Sequence, residues 1–465
     1  MSREMSSAHG MTGMHRILKL ACTEMQEGTC QGAALPEPGT IEHTFGRLYN
    51  SSTVLPDTDL LRTISEKMVD DEATVTDGPA EAGMAFFGQF IDHDLTLDAT
   101  TELGKSSGDV GRIRNFRTPR LDLDCVYGAG REVTPHFFYG HESDEHKRAE
   151  MIYGRRAGEG HPDANPHDLQ RNRTGRALIG DPRNDENLFV SQVQGRMFIE
   201  AHNHHAESAN GSDEHRYEEA KKKMTMFYHE MIVDRFLPQI VSADVLDPLK
   251  ANALDAARRL QNHLNPAGNI TWATAPDMPV EFSAAAYRFG HSMVRQTYTL
   301  NDNPGRQDVP IFRQSGDAGG INLGGFSPVE EANNLDMDKF FGPTAQRARA
   351  IDTRLPAALL QLPPEIAGDR PNLAFRNMER GQITFALPSG EVVAGNMGVD
   401  TINPDPKLGN LIGNTPLWFY ILSEAEQNGG KLGQVGGTLV AGVLLNLMLR
   451  GESPYYFGDS DAALV

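Results

Sequence analysis

The sequence predicts a mostly α-helical protein, built as one large domain with long irregular loops and little β structure. Apolar residues recur at helical spacing in several separate segments, no run alternates with the period of two that marks a strand, and a polar stretch between residues 103 and 180 has no period at all. At 465 residues the chain is long enough for two or three domains. No internal repeat is visible, and the coarse division is an N-terminal arm over 1–40, one helical domain over 41–455 and a C-terminal tail over 456–465.

The arm is rich in Met, Gly, Ser and Pro and shows no sustained apolar period, as expected of a strap lying over a domain surface. Its one apolar patch, Ile17 to Cys22, is broken by Lys19 and is too short for the core of a signal peptide. That leaves the cytoplasm or a non-classical export route. Helical period begins in TDLLRTISEKMV and strengthens in PAEAGMAFFGQFIDHDLTLD, where Met84, Phe87, Ile91 and Leu95 recur at spacings of three and four. This is a buried or half-buried helix. The excursion over 103–180, interrupted only by the apolar LDLDCVYG, is the kind of long loop that usually serves a site. Helical patterns return at 186–207, 214–240, 281–294, 343–360 and 415–450.

Composition narrows the function classes. A formal charge of −20 opposes binding to nucleic acid, whose phosphates would be repelled. No stretch approaches the run of about twenty apolar residues that spans a bilayer. Three cysteines, Cys22, Cys30 and Cys125, are too few for a disulfide framework in a chain of this size.

Four constellations carry possible chemistry. In FGQFIDHD, helical geometry puts Gln89, Asp92 and His93 on one face while Asp94 points about 100° away from His93, so two different partners are implied. In GDPRNDEN, Asp181 suits an N-cap and Pro182 a first helical turn, so Arg183 and Glu186 become neighbours at a helix start. AAAYRFGHSMV sets His291 in an apolar helical context with Arg288 one turn earlier, and Asn377, far downstream, could accept a hydrogen bond from an imidazole N–H and so fix its tautomer. In RTPRLDLDCVYG, Thr118, Asp122 and Asp124 alternate in a way that can fold oxygen ligands around a hard cation such as Ca²⁺. Each has a bland counterpart: a satisfied helix histidine, a capping motif with a surface ion pair, a core histidine and a solvated strand edge. A fifth cluster, HNHHAE, lacks the HExxH spacing of a metallohydrolase and is read as histidines on a helix.

Together and in this order, the motifs resemble the animal-type haem peroxidases of the peroxidase-cyclooxygenase superfamily, in particular the bacterial branch, over about residues 43 to 450. The segments TPRLDLDxVYG, GDPRNDEN, AAYRFGHSMVR, LPSG and TPLWFYIL carry the likeness. The resemblance implies a single helical haem peroxidase domain. His93 would be the distal acid-base residue, Gln89 a distal hydrogen-bonder, Arg183 the distal arginine and His291 the proximal ligand of haem b iron. Asn377 would hold His291, Arg288 would pair with a haem propionate, and Asp92 and Glu186 could form esters with haem methyls. Calcium would be bound by Asp94, Thr118, Asp122, Asp124 and the carbonyl of Arg120.

The implied activity is reduction of hydrogen peroxide and oxidation of small donors (iodide, bromide, thiocyanate, phenols) through a ferryl intermediate. Two departures stand out. Gln382 occupies a position that is commonly basic, and Asn187 follows the ester-forming glutamate where myeloperoxidase-like members carry a methionine that bonds to a haem vinyl. A fatty-acid dioxygenase or peroxygenase of the same superfamily is the nearest rival. There the radical-forming tyrosine lies three residues before the histidine, whereas Tyr287 lies four before His291. A non-catalytic haem-binding adhesion module would be expected to have lost His93, Arg183 or His291, and all three are present.

Overall fold

The computed structural model describes residues 43–49, 56–70, 75–140, 148–154, 165–261, 275–312 and 321–457. The predicted arm over 1–40 lies outside them, as does all of the predicted tail beyond residue 457. The described chain is mostly helical. Its strands are three short pairs: β1 (Phe45–Gly46) runs parallel to β3 (Met278–Pro279), β2 (Asp77–Glu81) antiparallel to β6 (Arg347–Arg349), and β4 (Thr297–Tyr298) antiparallel to β5 (Val309–Pro310). No helix among the described residues is long and apolar enough to cross a membrane.

The helices that matter for the site are α1 (Thr58–Glu66), α2 (Ala82–Leu95), α3 (Leu188–Gln192), α4 (Ala243–Gln261), α5 (Leu373–Glu379), α6 (Leu417–Gln427) and α7 (Gln434–Arg450). α2 is the central one. Met84, Phe87, Phe90, Ile91 and Leu95 have no exposed surface, and burying apolar side chains of this size contributes roughly 1.5–3 kcal/mol each. Two glycines let neighbours approach α2 closely. A Cβ at Gly83 would lie 2.5 Å from the Phe341 ring, and one at Gly88 would lie 3.1 Å from Phe236. α2 packs on α3 and on a 3₁₀ segment, Ala286–Met293, which in turn rests on α6; α5 packs on α1, and α7 on α4.

The sequence pattern and the structure part at several places. The period over 343–360 does not become a helix: residues 347–349 form β6, and only Ala357–Leu360 turns helically. Pairing with β2 satisfies that backbone instead. The pattern over 415–450 divides into α6 and α7 because Gly429 and Gly430 take φ of +68° and +82°, which glycine adopts without steric cost. The segment holding His291 is a 3₁₀ turn rather than an α-helix. The described parts of the loop over 103–180 are as irregular as its composition implies, carrying short helical turns and isolated bridges.

Among the described residues, three π-helical turns occur, at Val193–Ile199, Met231–Phe236 and Arg380–Thr384. The latter two bring Phe236 and Arg380 to the site described below, in keeping with the association of π-turns with function.

The loop Leu323–Phe326 clamps the segment between Asp185 and Leu188. Gly325 N donates to Glu186 O, Phe326 N to Asp185 O and Leu188 N to Leu323 O. A Cβ on Gly325 would sit 2.0 Å from the Asp185 carbonyl and 2.7 Å from the Glu186 carbonyl carbon. Gly325→Ala must therefore push this loop off the segment. We expect a stability loss of about 2 kcal/mol, the scale of a forced overpacking. Urea unfolding would measure it, and an unchanged midpoint would refute the clamp.

Candidate functional site

α2 delivers the first set of residues. Its register puts Gln89, Asp92 and His93 toward the segment 181–187, and Asp94 away from it, as the helical spacing predicts. His93 is fully buried and its Nδ1 lies 2.7 Å from Asn184 Oδ1. An amide oxygen only accepts, so Nδ1 carries the proton and Nε2 is the basic nitrogen of the neutral ring. Asn184 is held in that orientation by its own Nδ2, which donates to Gln194 Oε1 at 2.6 Å. His93 Nε2 lies 3.6 Å from Glu186 Oε1.

The segment 181–187 delivers the second set. Asp181 caps a 3₁₀ turn, Pro182–Asp185, accepting from Arg183 N. The predicted helix start is thus four residues long, and α3 begins again with its own cap at Asn187. Arg183 is 1% exposed. Its Nη2 donates to Asp181 Oδ2 (2.8 Å) and to the carbonyls of Thr96 (2.6 Å) and His93 (3.1 Å), while Nη1 is buried with no hydrogen-bond partner among the described residues. Burial opposes the charge of Asp181, yet Arg183 and Arg117 outweigh it and hold that carboxyl far below its ordinary range.

Glu186 behaves in the opposite way. Burial is the largest effect on it and pushes its pKa up to about 8; Arg183 and Gln89 lower it, and Asp181 and Asp92 raise it. Gln89 Nε2 donates to Glu186 Oε1, and Asn187 Nδ2 donates to Gln89 Oε1 at 3.0 Å. Glu186 Oε2 is buried without a hydrogen-bond partner among the described residues.

Opposite these residues stands the third set. Gln89, Asp92, Glu186 and Asn187 line one cleft together with Tyr287, Arg288, Gly290 and His291; the cleft encloses about 1330 Å³, open solvent at its mouth included. The Asn377 amide lies 2.8 Å from His291 Nδ1. Its nitrogen faces the ring, so in this orientation the amide donates, whereas the sequence reading has it accept. A half-turn of the amide exchanges the two atoms in the same place, and that is the orientation that a ring bound to metal through Nε2 would require.

Arg288 belongs to a buried group of cations that sequence reasoning missed. Burial, with Arg380 and Arg376 beside it, lowers the Arg288 pKa to about 9, and Arg376 falls to about 10 for the same kinds of reason. Three guanidiniums crowded out of water suit an anionic ligand group. The only sign of Arg376 and Arg380 in the sequence was their nearness to Asn377.

On the far side of α2, Asp94 meets Asp122 and Asp124, with one ligand oxygen from each within 4.8 Å of the others. Thr118 Oγ1 reaches both Asp122 (2.8 Å) and Asp124 (2.9 Å). Leu121 and Leu123 take φ of +57° and +62° to make this turn, a strain of about 1 kcal/mol or more each. Burial, then the neighbouring Asp124 and Asp122, raise the Asp94 pKa well above its ordinary value. A Cβ at Gly451 would come within 2.8 Å of the Arg120 carbonyl, the predicted fifth ligand. His202, from HNHHAE, is buried against Tyr127 Oη and the Ala149 carbonyl, a structural histidine.

The donor set fits a haem. A histidine lines one wall, an imidazole base and a buried guanidinium atom without a hydrogen bond lie beside the other, and buried cations match anionic substituents.

A model of the animal haem peroxidase family matches residues 104–361. That span holds Arg183, Glu186, Arg288 and His291, while Gln89, Asp92, His93 and Asn377 lie outside it and join the same site through the fold. Among solved structures, the chain is similar to peroxidase A from Dictyostelium discoideum (14% identity, 99% of this chain and 93% of that one, TM-score 0.55). It is also similar to fatty acid alpha-dioxygenases from Oryza sativa (15%, 90% and 76%, TM-score 0.58) and Arabidopsis thaliana (14%, 89% and 73%, TM-score 0.58). No curated protein sequence matches.

The raised Glu186 pKa makes stability depend on pH. Its folded value, about 8, exceeds the ordinary 4.5, so folding favours the protonated form. The associated stability is fully present below about 4.5 and falls as pH rises to about 8, by up to about 1.4 kcal/mol per pH unit. Glu186→Gln should remove that slope. Denaturant unfolding of both proteins at pH 5 and pH 8 would show the variant gaining on the wild type at the higher pH; equal differences at both would contradict the burial argument.

Proposed function

The chain belongs to the animal haem peroxidase family, and on that premise we propose that it is a haem-dependent peroxidase that reduces hydrogen peroxide and oxidises small donors such as iodide, bromide, thiocyanate or phenols. The observation that carries this reading is the 2.7 Å contact between His93 Nδ1 and Asn184 Oδ1. Nδ1–H is committed to Asn184, so Nε2 is the basic atom; it is buried 3.6 Å from Glu186, which lines the cleft that His291 also lines.

His291 would hold the iron, with Asn377 fixing its ring, and Arg288 would pair with a propionate. Haem, when bound, supplies the redox centre at which a peroxide O–O bond is broken. His93 Nε2 takes the proton from one peroxide oxygen and returns it to the departing one. Arg183, kept charged by Asp181, stabilises the negative charge that grows there. Asp92 and Glu186 both line the cleft, which supports ester links from these carboxyls to haem methyls. The Asp94, Asp122, Asp124 and Thr118 group supports a Ca²⁺ site, because three carboxyls this close repel one another unless a cation or protons intervene.

A lipid-oxygenating activity is the second reading. It is favoured by the apolar part of the cleft wall, including Ile311, Phe312, Leu359 and Leu362, and by Tyr287, whose buried hydroxyl has no hydrogen-bond partner among the described residues. Oxygen uptake with palmitate or linoleate, in the absence of peroxide, separates the two.

The test of the main reading divides the histidines. His291→Ala should lose haem, whereas His93→Ala should keep its Soret band and react with peroxide about 10²- to 10⁴-fold more slowly, the usual contribution of acid-base help. A His93→Ala protein that reacts at the wild-type rate in stopped flow would overturn the assignment. For the cation, chelation should lower the melting temperature and perturb the Soret band together, because Asp94 directly follows His93. Folded, active protein without calcium by elemental analysis would remove that site.

A further inference from the structure

Asn187 stands at the junction of two elements, and its two amide atoms do different things. Oδ1 accepts from the backbone N–H groups of Phe189 (3.0 Å) and Val190 (2.9 Å), capping α3. These donors fix which way the amide faces, because only the oxygen can accept from them. Nδ2 is therefore turned toward α2, where it donates to Gln89 Oε1 at 3.0 Å. That in turn leaves Gln89 with its nitrogen facing Glu186, to which it donates at Oε1. Glu186 Oε1 lies 3.6 Å from His93 Nε2, and Oε2 is the atom left without a hydrogen bond.

We propose that Asn187 is a positioning residue: by capping α3 it sets the orientation of the Gln89 amide, and through Gln89 it holds Glu186 with one oxygen beside His93 and the other toward the cleft. A backbone cap is thus transmitted over two side chains to the distal base. The proposal rests on the peroxidase reading only for its consequence, which is that Asn187 governs how many protons the distal side holds next to His93.

The charged and titratable groups facing Glu186 are Arg183 and Asp181 from its own segment, Asp92 and His93 from α2, and Tyr287, Arg288 and His291 across the cleft. The loop Leu323–Phe326, which packs against it, carries none. None of these groups is altered by a substitution at Asn187. With the amide donor gone, Gln89 is released to turn its oxygen to Glu186 and accept from the protonated carboxyl. The ionised form then keeps its donor but no longer has it held in place, and the neutral form gains an acceptor, so the midpoint rises.

The experiment is an infrared pH titration of the purified full-length protein, kept free of peroxide and checked by acid-solvent extraction of haem to carry no ester at Glu186, following the carboxyl C=O band that disappears in Glu186→Gln. Asn187→Ser keeps a capping oxygen and adds no charge, but its side chain is too short to donate to Gln89. The expected result is an upward move of the Glu186 midpoint by about one to two pH units, the worth of a hydrogen bond to a charged group. In a Gln89→Leu background the same substitution should produce no further move, since the connection is already cut.

Thermal melting of Asn187→Ser should remain within a few degrees of the wild type, because the cap survives. An unchanged midpoint in Asn187→Ser, an equal move in the Gln89→Leu background, or the lack of any titrating Glu186 band in the wild type would each overturn the proposal. Peroxide turnover is not part of this measurement, so a chain that fails to reduce peroxide would undo the functional reading and leave this result to stand or fall separately.

Discussion

A guanidinium that is 1% exposed is costly to bury without a counter-charge, and this side of the cleft is organised around satisfying the one on Arg183. Asp181 supplies the opposite charge from two residues away, and the carbonyls of His93 and Thr96 receive the other hydrogen bonds. Those carbonyls belong to the end of α2 and to its C-cap residue. The ion pair therefore ties the segment 181–187 to the helix that carries His93. Removing either partner would leave the other charge buried, at a cost of several kcal/mol. Arg117 extends the same network, lying 3.6 Å from Asp181 and 3.3 Å from Asp124. The acid cluster around Asp94 is thus in electrostatic contact with the distal site along two routes, through Arg117 and through α2.

α2 works as a divider because it is buried on every side. One stripe faces the cleft with Met84, Phe86, Gln89 and Asp92, the opposite side sends Asp94 into the acid turn, and Phe87 and Phe90 pack against Phe236, Phe198 and Tyr228. Such a helix resists rotation, since a turn of 100° would bury the carboxyls in aromatic rings and expose phenylalanines to the cleft. The orientation of His93 is consequently fixed by packing before any hydrogen bond is counted, and Asn184 then chooses the tautomer. Order of this kind is what the proton-transfer role proposed for His93 requires.

Much of this was legible in the sequence wherever the signal was local. The spacing of Gln89, Asp92, His93 and Asp94 predicts both the shared face and the diverging carboxyl, because helical geometry over five residues suffices. The Asp181 cap and the irregularity of 103–180 were equally readable. What was not readable depended on partners distant in the chain. The period over 343–360 promised a helix, but β2 claims residues 347–349 as a strand partner. The Arg288, Arg376 and Arg380 cluster joins segments some ninety residues apart in number and has no pattern of its own. Asn184 and Asn187 sat in plain view within GDPRNDEN, yet their roles follow only from Gln194 and Gln89, which the fold brings to them.

The two carboxyls nearest His93 and Arg183 show how one small volume can hold opposite protonation states. Asp181 lies 2.8 Å from a guanidinium nitrogen and is ionised; Glu186, on the same short segment, receives no direct hydrogen bond from that guanidinium and is driven toward its neutral form. A fixed anion keeps Arg183 charged, while a carboxyl close to neutrality sits beside the imidazole. Had both been ionised, one short segment would bury two anions beside Arg183; had both been neutral, Arg183 would lose its counter-charge. Burial drives Glu186 toward neutrality and geometry makes the separation, since the 3₁₀ turn at Pro182–Asp185 points Asp181 back at Arg183 and leaves Glu186 to the amides of Gln89 and, behind it, Asn187.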